Sequence, residues 1–348
     1  MLKRKIESVL LDWLNDENRN PLILKGCRQC GKTFSVLRFA REHYRHVVYL
    51  NFFENSDFKS IFEGELSVDN IVLLMSAFVG TEVRFVPHET IIILDEIQEC
   101  PRARAALKIF KLDGRFDVLA TGSLLGISGY RSEEYSVPVG YETIVDMFPL
   151  DFEEFLLANG IETPLIDLLK NCLDDVKAVP HALHQRMKNL LLQYIVVGGM
   201  PHIVDQFIKK RNIALVREEQ KHLIRSFKDD MVKYVFGADK SRIRECFESI
   251  PQQLAKENKK FQFSLIKKGA RSSQYVGSLQ WLEDTGLVKR SYNLTFPELP
   301  LEGNACRDKF KVYMADIGLL SVCSKMERSW IFFWEICTDT RALFLKIW

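Results

Sequence analysis

The residues best suited to chemistry fall in three short stretches. Gly26-Cys27-Arg28-Gln29-Cys30-Gly31-Lys32-Thr33 matches the phosphate-loop pattern GxxxxGK[ST] at every fixed position. Glycines at both ends let the loop turn its backbone N–H groups onto phosphate oxygens, and a helix starting there adds a favourable dipole. Lys32 is then placed to neutralise β- and γ-phosphate charge, and the Thr33 hydroxyl to ligate Mg²⁺. Ile91-Ile92-Ile93-Leu94-Asp95-Glu96 ends an apolar run in two acids. Such a run suits Asp95 to hold the metal and Glu96 to polarise an attacking water. Val118-Leu119-Ala120-Thr121-Gly122-Ser123 ends a further run in small polar residues, where Ser123 or Thr121 would sense a γ-phosphate or position water. The plainer alternatives are a Gly-rich turn, two solvated acids and a helix cap. Together the stretches imply ATP with Mg²⁺ as ligands, with Lys32, Glu96 and Ser123 as the candidate catalytic residues.

These residues need elements that hold them at one edge. Leu22 to Leu24, Val47 to Leu50, Ile91 to Leu94 and Val118 to Ala120 are short, apolar and unalternated, as strands buried on both faces of a parallel sheet should be. Thr143 to Phe148 is a fifth candidate. Longer segments of helical spacing separate them, so the spacing predicts a three-layer α/β domain, preceded by an amphipathic helix carrying Leu2, Ile6, Val9, Leu10, Trp13 and Leu14. After Asp151 the spacing turns helical, with a break at Gly198-Gly199-Met200-Pro201, and Leu287 to Tyr292 has the composition of a wing strand.

At 348 residues the chain is long enough for several cores, and 47% hydrophobic with 27% charged residues describes a folded globular protein. Its apolar runs are far shorter than the ~20 residues of a membrane span, and the basic start lacks the apolar core of an export signal. Eight cysteines scattered along the chain suggest a reducing cytoplasm. Cys27 and Cys30 spell CxxC, but both are variable positions of the phosphate loop and no second CxxC completes a zinc site, which discounts a redox or metal pair. A thiol at a helix N-terminus still makes Cys30 a target for oxidation or alkylation. The histidines show no metal-ligand spacing. The net charge of +2 hides basic clusters: eleven Lys or Arg against six acids over 209–245, and six against one over 256–271. Lys259, Lys260, Lys267, Lys268 and Arg271 lead into Ser272-Ser273-Gln274-Tyr275 on a candidate recognition helix, so residues 256–275 are a candidate duplex-DNA surface, or else the solvated face of a packing module.

Several motifs in order carry a resemblance: the phosphate loop, Leu94-Asp95-Glu96-Ile97-Gln98, Thr121-Gly122-Ser123, Pro149-Leu150-Asp151-Phe152-Glu153-Glu154-Phe155, Gly198-Gly199-Met200-Pro201, Trp281 to Leu287 and Phe310 to Leu320. Over about residues 1–322 the chain resembles the bacterial and archaeal AAA-like ATPases that carry a C-terminal DUF4143 domain. The resemblance implies an additional-strand P-loop ATPase domain (1–155), a helical lid (156–238), a winged-helix segment (239–300) and the start of a nuclease-like domain (301–348). Many members have an Arg shortly before Pro149, where this chain has Gly140-Tyr141, so a trans-acting arginine finger is not expected there; Arg131 is a weak substitute. The aromatic stretch with Trp330, Phe332, Phe333, Trp334 and Trp348 is unlike the family, and a truncation or frame shift after about Ser324 is expected, with no nuclease activity. The leading expectation is a Mg²⁺-dependent ATP-hydrolysing switch. The alternatives are a nucleotide-gated DNA-binding module with little turnover and, third, a small-molecule kinase; assembly into a homo-oligomer stays open.

Overall fold

The computed structural model describes residues 2–80, 84–123, 140–233 and 239–324. Arg131 and the aromatic stretch from Trp330 to Trp348 lie outside the described residues. The first part runs α1 (Ile6–Asn15), β1 (Leu22–Lys25), α2 (Lys32–His43), β2 (His46–Asn51), α3 (Val68–Val79), β3 (Thr90–Asp95), α4 (Pro101–Asp113), β4 (Asp117–Gly122) and β5 (Thr143–Asp146). The strands form one parallel sheet in the order β2-β3-β4-β1-β5. All five expected strands are present, and β4 is inserted between the loop-bearing β1 and the acid-bearing β3. This is the P-loop NTPase α/β fold in its additional-strand form.

Alternation along each strand explains why the runs are apolar throughout. Ile91 and Ile93 of β3 face α1 and α2, packing with Leu10, Trp13, Val36 and Phe39. Ile92 and Leu94 face the opposite layer, with Ile71, Met75, Leu107 and Phe110 of α3 and α4. Both faces are covered, so neither can tolerate polar residues.

The second part is helical: α5 (Phe152–Ala158), α6 (Thr163–Asp174), α7 (His181–Val197), α8 (Pro201–Lys210) and α9 (Ile213–Lys233). Asp151 and Glu154 form a reciprocal capping box at the start of α5. Then follow α10 (Asp239–Leu254), a short turn of helix at Phe263–Leu265, α11 (Ser272–Asp284), an antiparallel hairpin of β6 (Val288–Leu294) and β7 (Ala305–Met314), and α12 (Ile317–Cys323). Helix, helix, hairpin is the order a winged helix would have. The division expected between residues 300 and 301 falls inside this hairpin: β7, assigned from sequence to a further domain, pairs with β6, and α12 returns to pack on α7 and α9.

These parts share one core. The cluster on the α1–α2 face of the sheet continues through Val197, Met200, Phe227, Phe247, Leu282, Leu287 and Phe310. The glycines of the 198–201 break serve that junction. A Cβ on Gly199 would lie 2.0 Å from the Leu150 carbonyl oxygen, and one on Gly198 would lie 2.4 Å from the Asp316 carboxylate. Asp316 in turn accepts from Gly199 N–H at 2.6 Å and Leu319 N–H at 2.8 Å, joining the start of α12 to the start of α8.

Candidate functional site

Parallel register carries the ends of β1, β3 and β4 to one edge of the sheet, and the three stretches singled out in the sequence meet there. The loop leaves β1 against β5: Met147 N–H donates to Lys25 O at 2.6 Å, and a Cβ on Gly26 would stand 2.1 Å from the Met147 carbonyl oxygen. Only glycine fits. Gly31 adopts φ +97, in the left-handed region, as the loop turns into α2. Lys32, buried at 5% exposure, folds back so that Nζ donates to the carbonyls of Gly26 and Cys27, both at 2.9 Å. Arg4 braces the loop from α1's side: its guanidinium donates to Cys30 O at 2.9 Å, Phe148 O at 2.6 Å and Glu154 Oε1 at 3.0 Å.

Asp95 is the most densely bonded side chain of the edge. Its oxygens accept from the Thr33 hydroxyl at 3.0 and 3.2 Å, Tyr49 OH at 2.7 Å, Asn51 Nδ2 at 3.3 Å and Glu96 N–H at 3.1 Å, and also from the Thr121 hydroxyl. Burial, then the hydrogen bond to Asp95, pushes the Tyr49 phenol up and keeps it a donor. The pairing of Thr33 with Asp95 suits Mg²⁺. A hydroxyl and one carboxylate are hard oxygen donors, and two protein ligands leave the remaining octahedral positions to phosphate and water. Among the described residues no group of three or more His, Cys, Asp or Glu could hold a metal alone.

Glu96 has φ +53, so the chain turns sharply after β3 and the side chain points along the sheet edge. Its Oε2 accepts from the Ser123 hydroxyl at 3.1 Å and from Gln98 Nε2. Ser123 therefore touches the carboxylate expected to orient water, while Thr121 serves Asp95. Arg28 and Gln29 reach away from the sheet: Arg28 pairs with Asp230 of α9 at 2.7 Å, and Gln29, at φ +63, borders a cavity of about 240 Å³ that Met200, His202, Ile203, His222 and Leu223 also line.

Tyr49, Asn51, Gln98 and Arg4 were missed from sequence. Tyr49 and Asn51 alternate on β2, and only the strand order puts them beside Asp95. The two loop thiols, Cys27 and Cys30, are buried, which goes against the expectation that Cys30 is a ready target for oxidation or alkylation.

The candidate DNA segment is split. Lys267, Lys268, Arg271, Ser272, Ser273 and Gln274 are exposed. Tyr275 instead faces inward and donates to Glu245 at 2.6 Å, because it occupies the apolar face with Leu279 and Leu282, so it is removed from the candidate contacts.

Comparisons with known proteins agree with the fold of the first part. Residues 18–156 match the model of the AAA domain, and residues 188–329 match a domain of unknown function, DUF8612; that second match gives no support to the expected DUF4143. No curated protein matches the chain. Among solved structures, a Walker-type ATPase of Pyrococcus abyssi is similar at 16% identity and TM-score 0.53, over 93% of this chain and 96% of that one. The Aeropyrum pernix ORC1 protein in complex with DNA (13% identity, TM-score 0.31, 93% and 91% covered) and the Thermotoga maritima RuvB Holliday junction branch migration motor (13%, 0.35, 83% and 90%) are more distant and carry no argument. At these identities the likeness is one of fold. Among the described residues no helix is long and apolar enough to cross a membrane.

Proposed function

We propose that this chain binds ATP at the Gly26–Thr33 loop and hydrolyses it, using the γ-phosphate as a conformational switch. The observation that carries the reading is the Glu96 carboxylate, held by Ser123 and Gln98 at the same edge as Lys32, Thr33 and Asp95. The loop N–H groups and Lys32 hold the phosphates. Lys32 exchanges the carbonyls of Gly26 and Cys27 for phosphate oxygens, which are stronger acceptors. Mg²⁺, held by Thr33 and Asp95, would supply positive charge at the β- and γ-phosphate oxygens. Glu96 orients the attacking water and accepts its proton, and Ser123 fixes the carboxylate's direction. Arg28 links the loop to α9 through Asp230, a contact that phosphate binding would compete for, and this couples the nucleotide state to the helical part. A kinase reading has no support of this kind, since Glu96 occupies the position for activating water. A cytoplasmic setting belongs to the same proposal. Phosphate release from ATP by the purified chain tests it; no release, with or without Mg²⁺, contradicts it.

A second reading, a nucleotide-gated DNA-binding module, rests on a different surface. Ser273, Val276, Gly277 and Gln280 form one exposed face of α11. Nothing lies within 4 Å of where a Gly277 Cβ would be, and its φ is not positive, so the fold itself does not require glycine. An exposed helix face near Lys268 and Arg271 in sequence, with Arg307, Lys309 and Lys311 also exposed on β7, suits approach to duplex DNA. Duplex binding that weakens steeply with salt supports this; no binding at low salt removes it.

A further inference from the structure

A guanidinium is buried against the phosphate loop without belonging to it. Arg4 lies just ahead of α1 with its side chain 8% exposed, and each of its three nitrogens bonds a different segment. Nε donates to Glu154 Oε1 at 3.0 Å in α5, Nη2 to Phe148 O at 2.6 Å after β5, and Nη1 to Cys30 O at 2.9 Å in the loop. The fork is planar, so fixing two of its directions aims the third. Buried Glu154 is itself held, because Oε1 also accepts from Lys5 N–H at 2.6 Å and Oε2 from Asp151 N–H at 3.0 Å. Arg4 therefore reaches the loop from a rigid mount on α5 and the end of β5.

The Cys30 C=O and the Gly31 N–H belong to one planar trans peptide and point in opposite directions. A carbonyl turned onto Arg4 thus turns the Gly31 N–H away from Arg4, and among the described residues that N–H meets no acceptor. A peptide that precedes glycine is readily flipped, because glycine takes φ of either sign. Gly31 stands at φ +97, and a flip would present the Cys30 oxygen where the N–H now stands. An oxygen there would repel phosphate. Arg4 closes this route together with its neighbours: its Nη1, Pro201 Cγ and Met147 Cε lie 3.5, 3.6 and 3.7 Å from where a Gly31 Cβ would be.

We propose that Arg4 is a positioning residue of the nucleotide site, pinning the Cys30–Gly31 peptide so that the Gly31 N–H, and not the Cys30 oxygen, faces phosphate. The role rests on the ATP reading and adds to it the segment ahead of α1. Arg4 acts through the peptide and not on the nucleotide. Direction matters here more than charge, so lysine cannot replace it: an ammonium on a flexible stem lacks the fork that holds all three acceptors at once.

Cys30–Gly31 is the only Cys–Gly step in the sequence, so a chain carrying ¹³C at cysteine carbonyls and ¹⁵N in glycine gives one NMR signal from this peptide alone. That signal and the affinity for a fluorescent ATP analogue are read on the full chain for the parent, Arg4→Lys, Arg4→Ala and Lys5→Ala. In the parent, ATP should move the Gly31 proton downfield as its N–H meets phosphate. Arg4→Lys and Arg4→Ala should bind at least about tenfold more weakly, and millimolar guanidinium ion should restore part of the loss in Arg4→Ala. Lys5→Ala removes the neighbouring cation that bonds Asp151 and Glu153, and as the control for charge it should bind within about threefold of the parent. Arg4→Lys binding as tightly as the parent overturns the proposal and leaves the ATP reading standing. So does a parent signal that stays in place at saturating ATP, an outcome that needs no variant to fold. A parent that binds no nucleotide removes the ATP reading and the role of Arg4 together.

Discussion

Gly26→Ala should damage the protein in two separable ways. The added methyl would lie 2.1 Å from the Met147 carbonyl oxygen and 3.1 Å from its carbon. That carbonyl cannot swing aside cheaply, because Met147 N–H is tied to Lys25 O at 2.6 Å where β1 and β5 end. Relief requires the loop and the end of β5 to part by about 1 Å, and backbone displacement of this kind in a packed interior costs about 2–4 kcal/mol. The melting temperature should therefore fall by several degrees, on the scale of about 2–4 °C for each kcal/mol in a domain of this size. Affinity for ATP should fall more than about tenfold, since the loop N–H groups no longer converge. Gly277→Ala is the matched control: with nothing within 4 Å and a helical backbone, it should stabilise by about 0.5–1 kcal/mol. Urea denaturation and fluorescent-nucleotide titration of both variants read the two effects. A Gly26→Ala protein as stable as its parent and binding ATP equally well would refute the stated contact between loop and β5.

Arg104 and Glu142 form a buried ion pair, 7% and 6% exposed; Arg104→Ala should cost about 3–5 kcal/mol in urea denaturation by stranding Glu142, and replacing both with apolar residues should recover most of it. Asp316 is raised from 3.8 to about 6, chiefly by burial. Between those values the folded chain holds a proton that the unfolded chain has released, so this group's contribution is largest below 3.8 and declines as pH rises through 6. The native chain minus Asp316→Asn should show a stability difference that shrinks by about 2–4 kcal/mol from pH 4 to pH 7. A flat difference across that range in parallel denaturation series would exclude the buried carboxyl as its source.

The sheet could be read from sequence because β3 needs four apolar residues for two covered faces, and the loop because its glycines, lysine and threonine stand at set intervals. What stayed hidden depends on long-range pairing. Tyr49 and Asn51 read as ordinary strand residues until β2 is placed beside β3. Gly198-Gly199 was legible as a break between helices, but the approach of Leu150 and Asp316 that forbids a side chain was not. The division at residue 300 came with the family resemblance rather than from the residues themselves, and it falls in the connection between the paired strands β6 and β7. Tyr275 followed exposed polar neighbours in sequence yet turns inward, since the helical period places it with Leu279 and Leu282.

If Glu96 acts on water while Lys32 holds phosphate, the two roles separate when ATP affinity and single-turnover phosphate release are measured together for the parent chain, Glu96→Gln and Lys32→Ala. Glu96→Gln should bind ATP within about threefold of the parent and release phosphate at least about a hundredfold more slowly, whereas Lys32→Ala should lose affinity itself. Glu96→Gln turning over at the parent's rate would contradict the assignment of water activation to this carboxylate.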